Sequence, residues 1–345
     1  MRPALRPQSG VCIRPDGFTN RAAVAKLRRM SERGENALVA WLTGRFPPDP
    51  ARVLVGIGDD LAVVRYGQAL VGITADMLLD GVHFDTARHD PALIGRKALA
   101  CSLSDCAAMG CEPVAATVSL ALPETFSLDA VQRLYEGLAG LADEFGCRLV
   151  GGDTTSWPGQ LAIDVAMLAE PMSPRGPIRR SEARATDALF VSGPLGGSIL
   201  GKHLTFTPRL ALARQLANRP ELHAMMDLSD GLSMDLHRMC AASGCDAELD
   251  AALLESAISA EARGLAAAHA VDGGAAEPAA RDHALHDGED FELLIAGEAS
   301  LADAGLGLIR VGRMVPRDRG GRTRITLRTG AAREPVEPRG YEHFR

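Results

Sequence analysis

Hydrophobic residues recur along this chain with two spacings, and each spacing predicts one kind of element. Alternating or continuous apolar runs, bounded by Gly, Pro or Asp, predict strands. One such run lies on each side of Asp59 and Asp60, and the next ends at Asp76. Further strands are predicted in "PVAATVSLALP", "LAIDVAMLAE", "DALFV", "FELLIA" and "GLIRVGRMV". The stretch "CRLVGGDTT" predicts a strand that runs into a glycine turn.

Apolar residues at helical spacing predict helices between capping residues. The first helix begins near Ser31, and a second covers residues 91–110. A third has Ser127 as its N-cap and Gly146 as its C-terminal stop, and a later one is capped at Ser229. Strands and helices are mixed in both halves without a strict β–α–β period, so the pattern predicts a mixed α/β (α+β) fold.

A change in composition predicts how the chain is divided. Its 345 residues suit two domains rather than one. Pro, Arg and Ser become frequent at residues 171–183, and we place the domain boundary there. Residues 1–30 are predicted to be a disordered N-terminal extension. The two domains are then residues 31–172 and residues 173–345.

Composition and charge argue against two classes of partner. The net charge is −7 and only 4% of the residues are aromatic, so no nucleic-acid partner is expected. No apolar run approaches the ~20 residues of a membrane span, and the N-terminus lacks the apolar segment of a secretory signal. The 7 cysteines show no metal-ligand spacing, which is typical of reduced, buried thiols. We therefore expect a cytoplasmic protein without a membrane partner.

Acidic residues recur in short stretches that also contain Gly, Ser or Thr. They are Asp59, Asp60, Asp76, Asp105, Asp153, Asp227, Asp230, Glu289 and Asp290. A single Asp-Gly is usually only a turn, so the prediction rests on the whole set. Mg²⁺ prefers oxygen ligands and is commonly held by carboxylates together with substrate phosphates. We expect several Mg²⁺ ions here, with one meeting Asp59 and Asp60.

Motifs that the chain lacks narrow the chemistry further. We find no GxSxG, HExxH or GK[ST] pattern, and no convincing GxGxxG that opens a helix. A site rich in carboxylates and poor in nucleophiles suits phosphoryl transfer, which depends mainly on positioning and charge neutralisation. If the acceptor is itself a phosphate, no side-chain nucleophile or base is expected.

Together these stretches resemble the thiamine-monophosphate kinase family of the aminoimidazole ribonucleotide synthetase-like superfamily. The resemblance is carried, in order, by "GIGDDLAVV", "TADMLLDGVHF", "SDCAAMG", "VGGDTT", "DLSDGLSMDL", "GEDFELL" and "GYEHF". It implies a two-domain α/β fold in which the N-terminal domains of two subunits pair into a β-barrel, giving a homodimer. It also implies in-line transfer from ATP, the co-substrate, to thiamine monophosphate, with several Mg²⁺ ions.

The resemblance also assigns roles to individual residues. Positions that match the family's metal ligands are Asp59, Thr74, Ala75, Asp76, Asp105, Asp153, Asp227 and Asp230. Positions that match its ATP contacts are Tyr135, Gly152, Asp153, Arg180 and Ser229. Positions that match its substrate contacts are His83, Glu289 and Tyr341.

One position departs from the family's pattern. The residue before Asp76 usually carries a hydroxyl group in the family, but here it is Ala75. If that ligand acts through its side chain, one Mg²⁺ site loses an oxygen. If it acts through its backbone carbonyl, nothing changes.

Two alternatives stay open at this point. Another member of the superfamily, such as a selenophosphate synthetase, would also bind ATP and Mg²⁺. Cys12 does not lie in the glycine-rich setting that such a synthetase needs for a reactive cysteine. The second alternative is a non-catalytic nucleotide-binding scaffold, which would have lost acidic or substrate residues that this chain largely keeps.

Overall fold

The computed structural model of this protein describes residues 34–270, 276–318 and 323–341. The predicted extension, residues 1–30, lies outside the described residues. The chain divides into two units, of which one includes helix α1 (Gly34–Arg45) and the other comprises Phe46–Tyr341. Helix α1 confirms the first predicted helix, whose expected start near Ser31 also lies outside the described residues.

The first half of the larger unit contains one sheet and two helices. Its elements are β1 (Val53–Val55), β2 (Ala62–Tyr66), β3 (Ala69–Leu79), α2 (Pro91–Ala108), β4 (Cys111–Pro123), α3 (Leu128–Phe145), β5 (Arg148–Trp157) and β6 (Ala162–Pro171). Among the described residues, six strands form this sheet in the order β1-β2-β3-β6-β4-β5. β4 and β5 run parallel, joined by α3, because a parallel pair needs a crossover connection.

Successive side chains of β3 point to opposite faces of this sheet. Thr74 and Asp76 face α2, where they make hydrogen bonds with Asp105 and Ser102. Ala75, between them, therefore points to the other face. Ser127 caps α3 by accepting from the backbone N–H of Ala130, as predicted from the sequence.

Helices α2 and α3 cross at two glycines. A Cβ atom on Gly137 would lie 1.8 Å from the backbone oxygen of Ala92, and one on Gly95 would lie 2.0 Å from the backbone oxygen of Leu134. Both approaches are closer than any side chain permits. The contact fixes α2, and with it the acidic residue that α2 carries.

We expect Gly137→Ala to destabilise the protein by about 1–3 kcal/mol, because overpacking forces the helices apart. Gly140→Ala on the same helix is the matched control, since nothing lies within 4 Å of a Cβ atom there. Ala favours a helix more than Gly, so the control should gain about 0.5–1 kcal/mol. Urea unfolding of both variants checks the prediction, and equal unfolding midpoints would contradict it.

The second half forms a larger sheet. Its strands are β7 (Ala188–Val191), β8 (Leu222–Asp227), β9 (Cys245–Asp250), β10 (Leu293–Gly297), β11 (Ile309–Pro316), β12 (Ile325–Thr329) and β13 (Ala332–Pro335). Its helices are α4 (Lys202–Thr205), α5 (Leu210–Leu216), α6 (Leu232–Ser243), α7 (Ala251–Leu254), α8 (Ala260–Ala270) and α9 (Ala276–His286). Among the described residues the strand order is β13-β12-β9-β11-β7-β10-β8.

Helix α2 contacts both sheets and is buried around most of its circumference. It packs against β3, β4 and β6 of the first sheet and against β8 of the second. An all-round apolar helix is expected in such a central position. Polar residues on α2 therefore point into the interior between the two halves rather than into water.

Three local predictions were wrong. The strand expected to end at Asp76 continues to Leu79, because each residue up to that point pairs with β6. "GGDTT" is not a turn, since Gly152 and Asp153 pair with β4 as part of β5. Ser229 does not cap α6; the Asp235 carboxylate instead accepts from the backbone N–H groups that precede the helix.

Across the described ranges, no helix is long and apolar enough to span a bilayer.

Candidate active site

Three carboxylates from separate segments converge where the two sheets meet. Asp60 precedes β2, Asp105 lies on α2, and Asp227 ends β8. One oxygen from each lies within 4.8 Å of the others. We call Asp60, Asp105 and Asp227 the acidic cluster.

Hydroxyl groups hold the orientation of these carboxylates. Thr74 Oγ1 donates to Asp105 Oδ2 over 2.5 Å, and Ser104 Oγ donates to Asp227 Oδ2 over 2.7 Å. Ser102 Oγ donates to the neighbouring Asp76 over 2.6 Å. Two of the three donors lie on α2, so the same helix supplies a carboxylate and the groups that orient others.

The acidic cluster contains an oxygen without a partner. Asp60 Oδ2 is buried and accepts no hydrogen bond from any described residue. Burial without a partner is costly for a polar atom, and the cost rises for a charged one. The lone oxygen therefore indicates that the cluster is built to receive a further group.

Burial and mutual repulsion disfavour the charged forms of these acids. Burial, followed by the charges of Asp76, Asp227 and Asp60, raises the pKa of Asp105 well above its usual range. Burial and the charge of Asp60 raise the pKa of Asp227 in the same way. Burial raises the pKa of Asp76 to about 6. Because every nearby ligand atom is an oxygen, the group that best relieves this repulsion is a hard cation such as Mg²⁺.

The structure also supplies a positive charge that the sequence analysis did not place there. Arg180 Nε lies 3.1 Å from Asp59 Oδ1, and Arg180 Nη2 lies 2.5 Å from Asp60 Oδ1. Ser243 Oγ donates to the backbone oxygen of Arg180 over 2.8 Å and anchors its short 3₁₀ turn. Arg180 was expected beside phosphate and Asp59 beside metal, and the structure pairs the two.

The structure places three further predicted ligands, of metal or of ATP, outside the acidic cluster. Asp230 follows Asp227 in the same loop and pairs with Arg238 over 2.5 Å. The backbone oxygen of Ser229 accepts from the backbone N–H of Glu289 over 2.7 Å. Tyr135 lies on α3, partly buried against the core.

Asp153 and Gly152 are not brought to the acidic cluster within one chain. They lie on β5, at the edge of the first sheet, where Asp153 is exposed. Three strand spacings, roughly 14 Å, separate β5 from the strand that carries Asp76. Ala75 faces away from the acidic cluster. A hydroxyl group at this position would therefore not lie among the oxygens of Asp60, Asp105 and Asp227.

The three predicted substrate residues do come together. The rings of His83 and Tyr341 have centroids 6.4 Å apart. Lys97 connects this pair with Glu289, since its ammonium donates to the His83 backbone oxygen over 2.5 Å and to Glu289 Oε1 over 2.6 Å. His203 completes the group, with Nδ1 3.3 Å from Glu289 Oε2.

Three residues of this region were missed as site residues. Asp60 was noted for its charge but not included among the ligands, although its position beside Asp59 was the available signal. Lys97 and His203 were not singled out. A lysine within the apolar repeat of α2 is the signal that could have identified Lys97, because a buried lysine needs partners.

The chain is similar to proteins of one family along most of its length. The model for AIR synthase related protein, N-terminal domain, matches residues 58–170, and the model for its C-terminal domain matches residues 179–319. The thiamine-monophosphate kinase of Rhodopirellula baltica is 38% identical over 327 residues, which cover 90% of this chain and 97% of that protein.

Two solved structures support the same relationship. AaThiL complexed with AMPPCP and TMP aligns with a TM-score of 0.76 at 27% identity, covering 90% of this chain and 97% of that one. Thiamine-monophosphate kinase from Stenotrophomonas maltophilia K279a aligns with a TM-score of 0.64 at 31% identity, with the same coverage of 90% and 97%. These likenesses extend over both halves of the chain.

Proposed function

The chain belongs to the AIR synthase related family, among its thiamine-monophosphate kinases, and we propose that its acidic cluster is where phosphoryl transfer takes place. The enzyme phosphorylates thiamine monophosphate with ATP, giving thiamine diphosphate and ADP. The observation that carries the choice of site is the set of converging carboxylates with one unpartnered oxygen.

We propose that Mg²⁺ binds at the acidic cluster, held by Asp60, Asp105 and Asp227, with further ions beside Asp59 and Asp76. The all-oxygen donor set and the unpartnered Asp60 Oδ2 support this fit. Mg²⁺, when bound with the nucleotide, supplies neutralisation of the charge on the phosphates. Thr74 and Ser104 keep two of the carboxylates aimed at one point.

The remaining chemistry needs no side-chain base. The acceptor is a phosphate oxygen that is already anionic, so the protein has only to align it in line with the γ-phosphate and stabilise charge. We assign Arg180 to the nucleotide phosphates, since a guanidinium suits phosphate oxygens and Arg180 lies at the rim of the cluster. Asp59 and Asp60 then become available to the metal.

We also propose a homodimer formed by the outer face of the first sheet. Ile73 and Leu168 are paired on that face, and Val114 lies beside them; all three are exposed. Among the described residues β5 is an edge strand of this sheet, beside the strand that carries Val114. Pairing two such sheets into a barrel would cover this apolar stripe and place Gly152 and Asp153 within the assembly.

Leu168→Glu is expected to shift the protein from dimer to monomer, because a charge on this face opposes burial. The side chain is 45% exposed, so the fold itself should tolerate the change. Light scattering and size exclusion measure the mass. Leu128→Glu, at a position that is 72% exposed on α3, is the control and should stay dimeric. A monomeric wild type, or a dimeric Leu168→Glu variant, would contradict the proposed interface.

We further propose a domain boundary at residues 172/173 and a cytoplasmic location. The strands of the first sheet end at Pro171, and those of the second begin at Ala188. The two family models leave the same interval, residues 171–178, unmatched. The cysteines of the described residues are free and buried, which agrees with a reducing compartment.

The assigned reaction is tested by incubating purified protein with MgATP and thiamine monophosphate and following both products by chromatography. We expect thiamine diphosphate and ADP in equal amounts. ADP without thiamine diphosphate would point to another acceptor. Bound nucleotide without turnover would point to the scaffold alternative.

A further inference from the structure

Lys97 is fully buried, with a side-chain exposure of 0%, in the middle of α2. Lysine is rarely buried unless its ammonium is paired, because moving the charge out of water is costly. An apolar side chain would fill the same space on this central helix without that cost. The charge at this position therefore calls for a role beyond packing.

The ammonium of Lys97 lies within hydrogen-bonding distance of three separate segments. It donates to the backbone oxygen of His83 over 2.5 Å and to Glu289 Oε1 over 2.6 Å, and it lies 3.0 Å from His203 Nδ1. An ammonium has only three N–H groups. Two of them are used on the His83 loop and on Glu289, and the side chain is fully buried, so Lys97 acts on its neighbours rather than on a substrate.

Glu289 is held in an unusual backbone conformation. Its φ is +62°, a region that non-glycine residues with long side chains seldom occupy. Its backbone N–H donates to Ser229, and its carboxylate is fixed by Lys97 and His203. The side chain is still 24% exposed, so part of the carboxylate remains accessible to a ligand.

We propose that Lys97 is a positioning residue for the acceptor substrate, which fixes the Glu289 carboxylate and the His83 loop around its organic part. This inference rests on the proposed assignment of His83, Glu289 and Tyr341 to thiamine monophosphate. An accessible carboxylate beside two aromatic rings suits a cationic heteroaromatic group with an exocyclic amine. Lys97 holds those elements at the spacing that such a group requires.

The position of Lys97 predicts which substrate is affected by its loss. Lys97 lies eight residues before Asp105 on α2, which is about 12 Å along the helix. The nucleotide and metal groups at the acidic cluster are therefore remote from it. Removing the ammonium should weaken the acceptor end of the site and leave the ATP end intact.

The test compares Lys97→Met, which keeps the length and removes the charge, with wild type in steady-state assays. We expect the KM for thiamine monophosphate to rise at least 10-fold, with the KM for ATP within twofold of wild type. Lys97→Arg keeps the charge in a different shape and should show a smaller rise in the same KM. If Lys97→Met does not fold, the KM for thiamine monophosphate of Lys97→Arg tests the proposal instead.

A double-mutant cycle separates positioning from a structural role. If Lys97 acts through Glu289, adding Lys97→Met to Glu289→Gln should change the KM for thiamine monophosphate by less than about threefold. Lys202→Met is the matched control, because it removes the same charge from a lysine that pairs with Glu292, on the same loop as Glu289. It should leave the ratio of the two KM values unchanged.

The outcomes distinguish this inference from the proposed function. A wild-type enzyme that does not phosphorylate thiamine monophosphate overturns the function and, with it, the role of Lys97. An active wild type whose two KM values rise equally in Lys97→Met overturns only the role of Lys97. Fully additive effects of Lys97→Met and Glu289→Gln on the KM for thiamine monophosphate would also overturn only the role of Lys97.

Discussion

Replacing Asp105 by Asn is expected to lower kcat by about 10³-fold or more while the protein stays folded. Asp105 accepts from Thr74 and lies within 4.8 Å of both Asp60 and Asp227. Asn has the same shape but no charge, so it can keep the hydrogen bond with Thr74 and still lose the proposed metal. Turnover of thiamine monophosphate at saturating MgATP gives the measurement.

The same variant has a second readout that does not depend on activity. Without Mg²⁺, Asp105→Asn should be at least as stable to heat as wild type, because the substitution removes one of several repelling buried charges. With Mg²⁺ and a non-hydrolysable ATP analogue, wild type should gain stability by mass action and the variant should gain much less. Thermal denaturation in the two buffers measures both effects.

The control for this substitution is Asp143→Asn on α3, where the carboxylate is 77% exposed. It carries the same chemical change at a surface position and should match wild type in turnover and in the response to Mg²⁺. If Asp105→Asn kept its activity, the acidic cluster would not be the site of metal binding.

The sequence predicted the elements that bring these residues together better than it predicted their partners. The periodicity of residues 91–110 correctly placed Asp105 on a helix, and the resemblance marked it as a ligand. The capping prediction at Ser127 was also confirmed. These features depend on neighbours within a few positions, so local patterns carry them.

The pairing of Arg180 with Asp59 and Asp60 could not be predicted from local sequence patterns. The partners are 120 and 121 positions apart, and only the packing of the second half against the first brings them together. The hydrogen bond of Lys97 to Glu289 depends on the same packing, since 192 positions separate the two residues. For Asp153 the resemblance predicted a metal ligand. The strand order instead places it apart from the acidic cluster within one chain.

Arg180→Met is expected to be the most destabilising of these substitutions in the absence of metal. The Arg180 guanidinium is 12% exposed and pairs with Asp59 and Asp60, which are 7% and 6% exposed. Breaking a buried pair by removing one partner costs about 3–5 kcal/mol, because the remaining charge stays uncompensated. Urea unfolding in EDTA should show a loss of this size.

The metal proposal makes the loss depend on Mg²⁺. If Mg²⁺ binds the same carboxylates, it should compensate for the missing guanidinium, and the difference between Arg180→Met and wild type should shrink when Mg²⁺ is added. The KM for ATP should stay raised, since the phosphate contact is not replaced. Arg179→Met is the control, because the adjacent Arg179 pairs with Glu182 near the surface, where an ion pair contributes little stability. A stability loss that is the same with and without Mg²⁺ would mean that Asp59 and Asp60 serve Arg180 alone, and that the metal site is confined to Asp105 and Asp227.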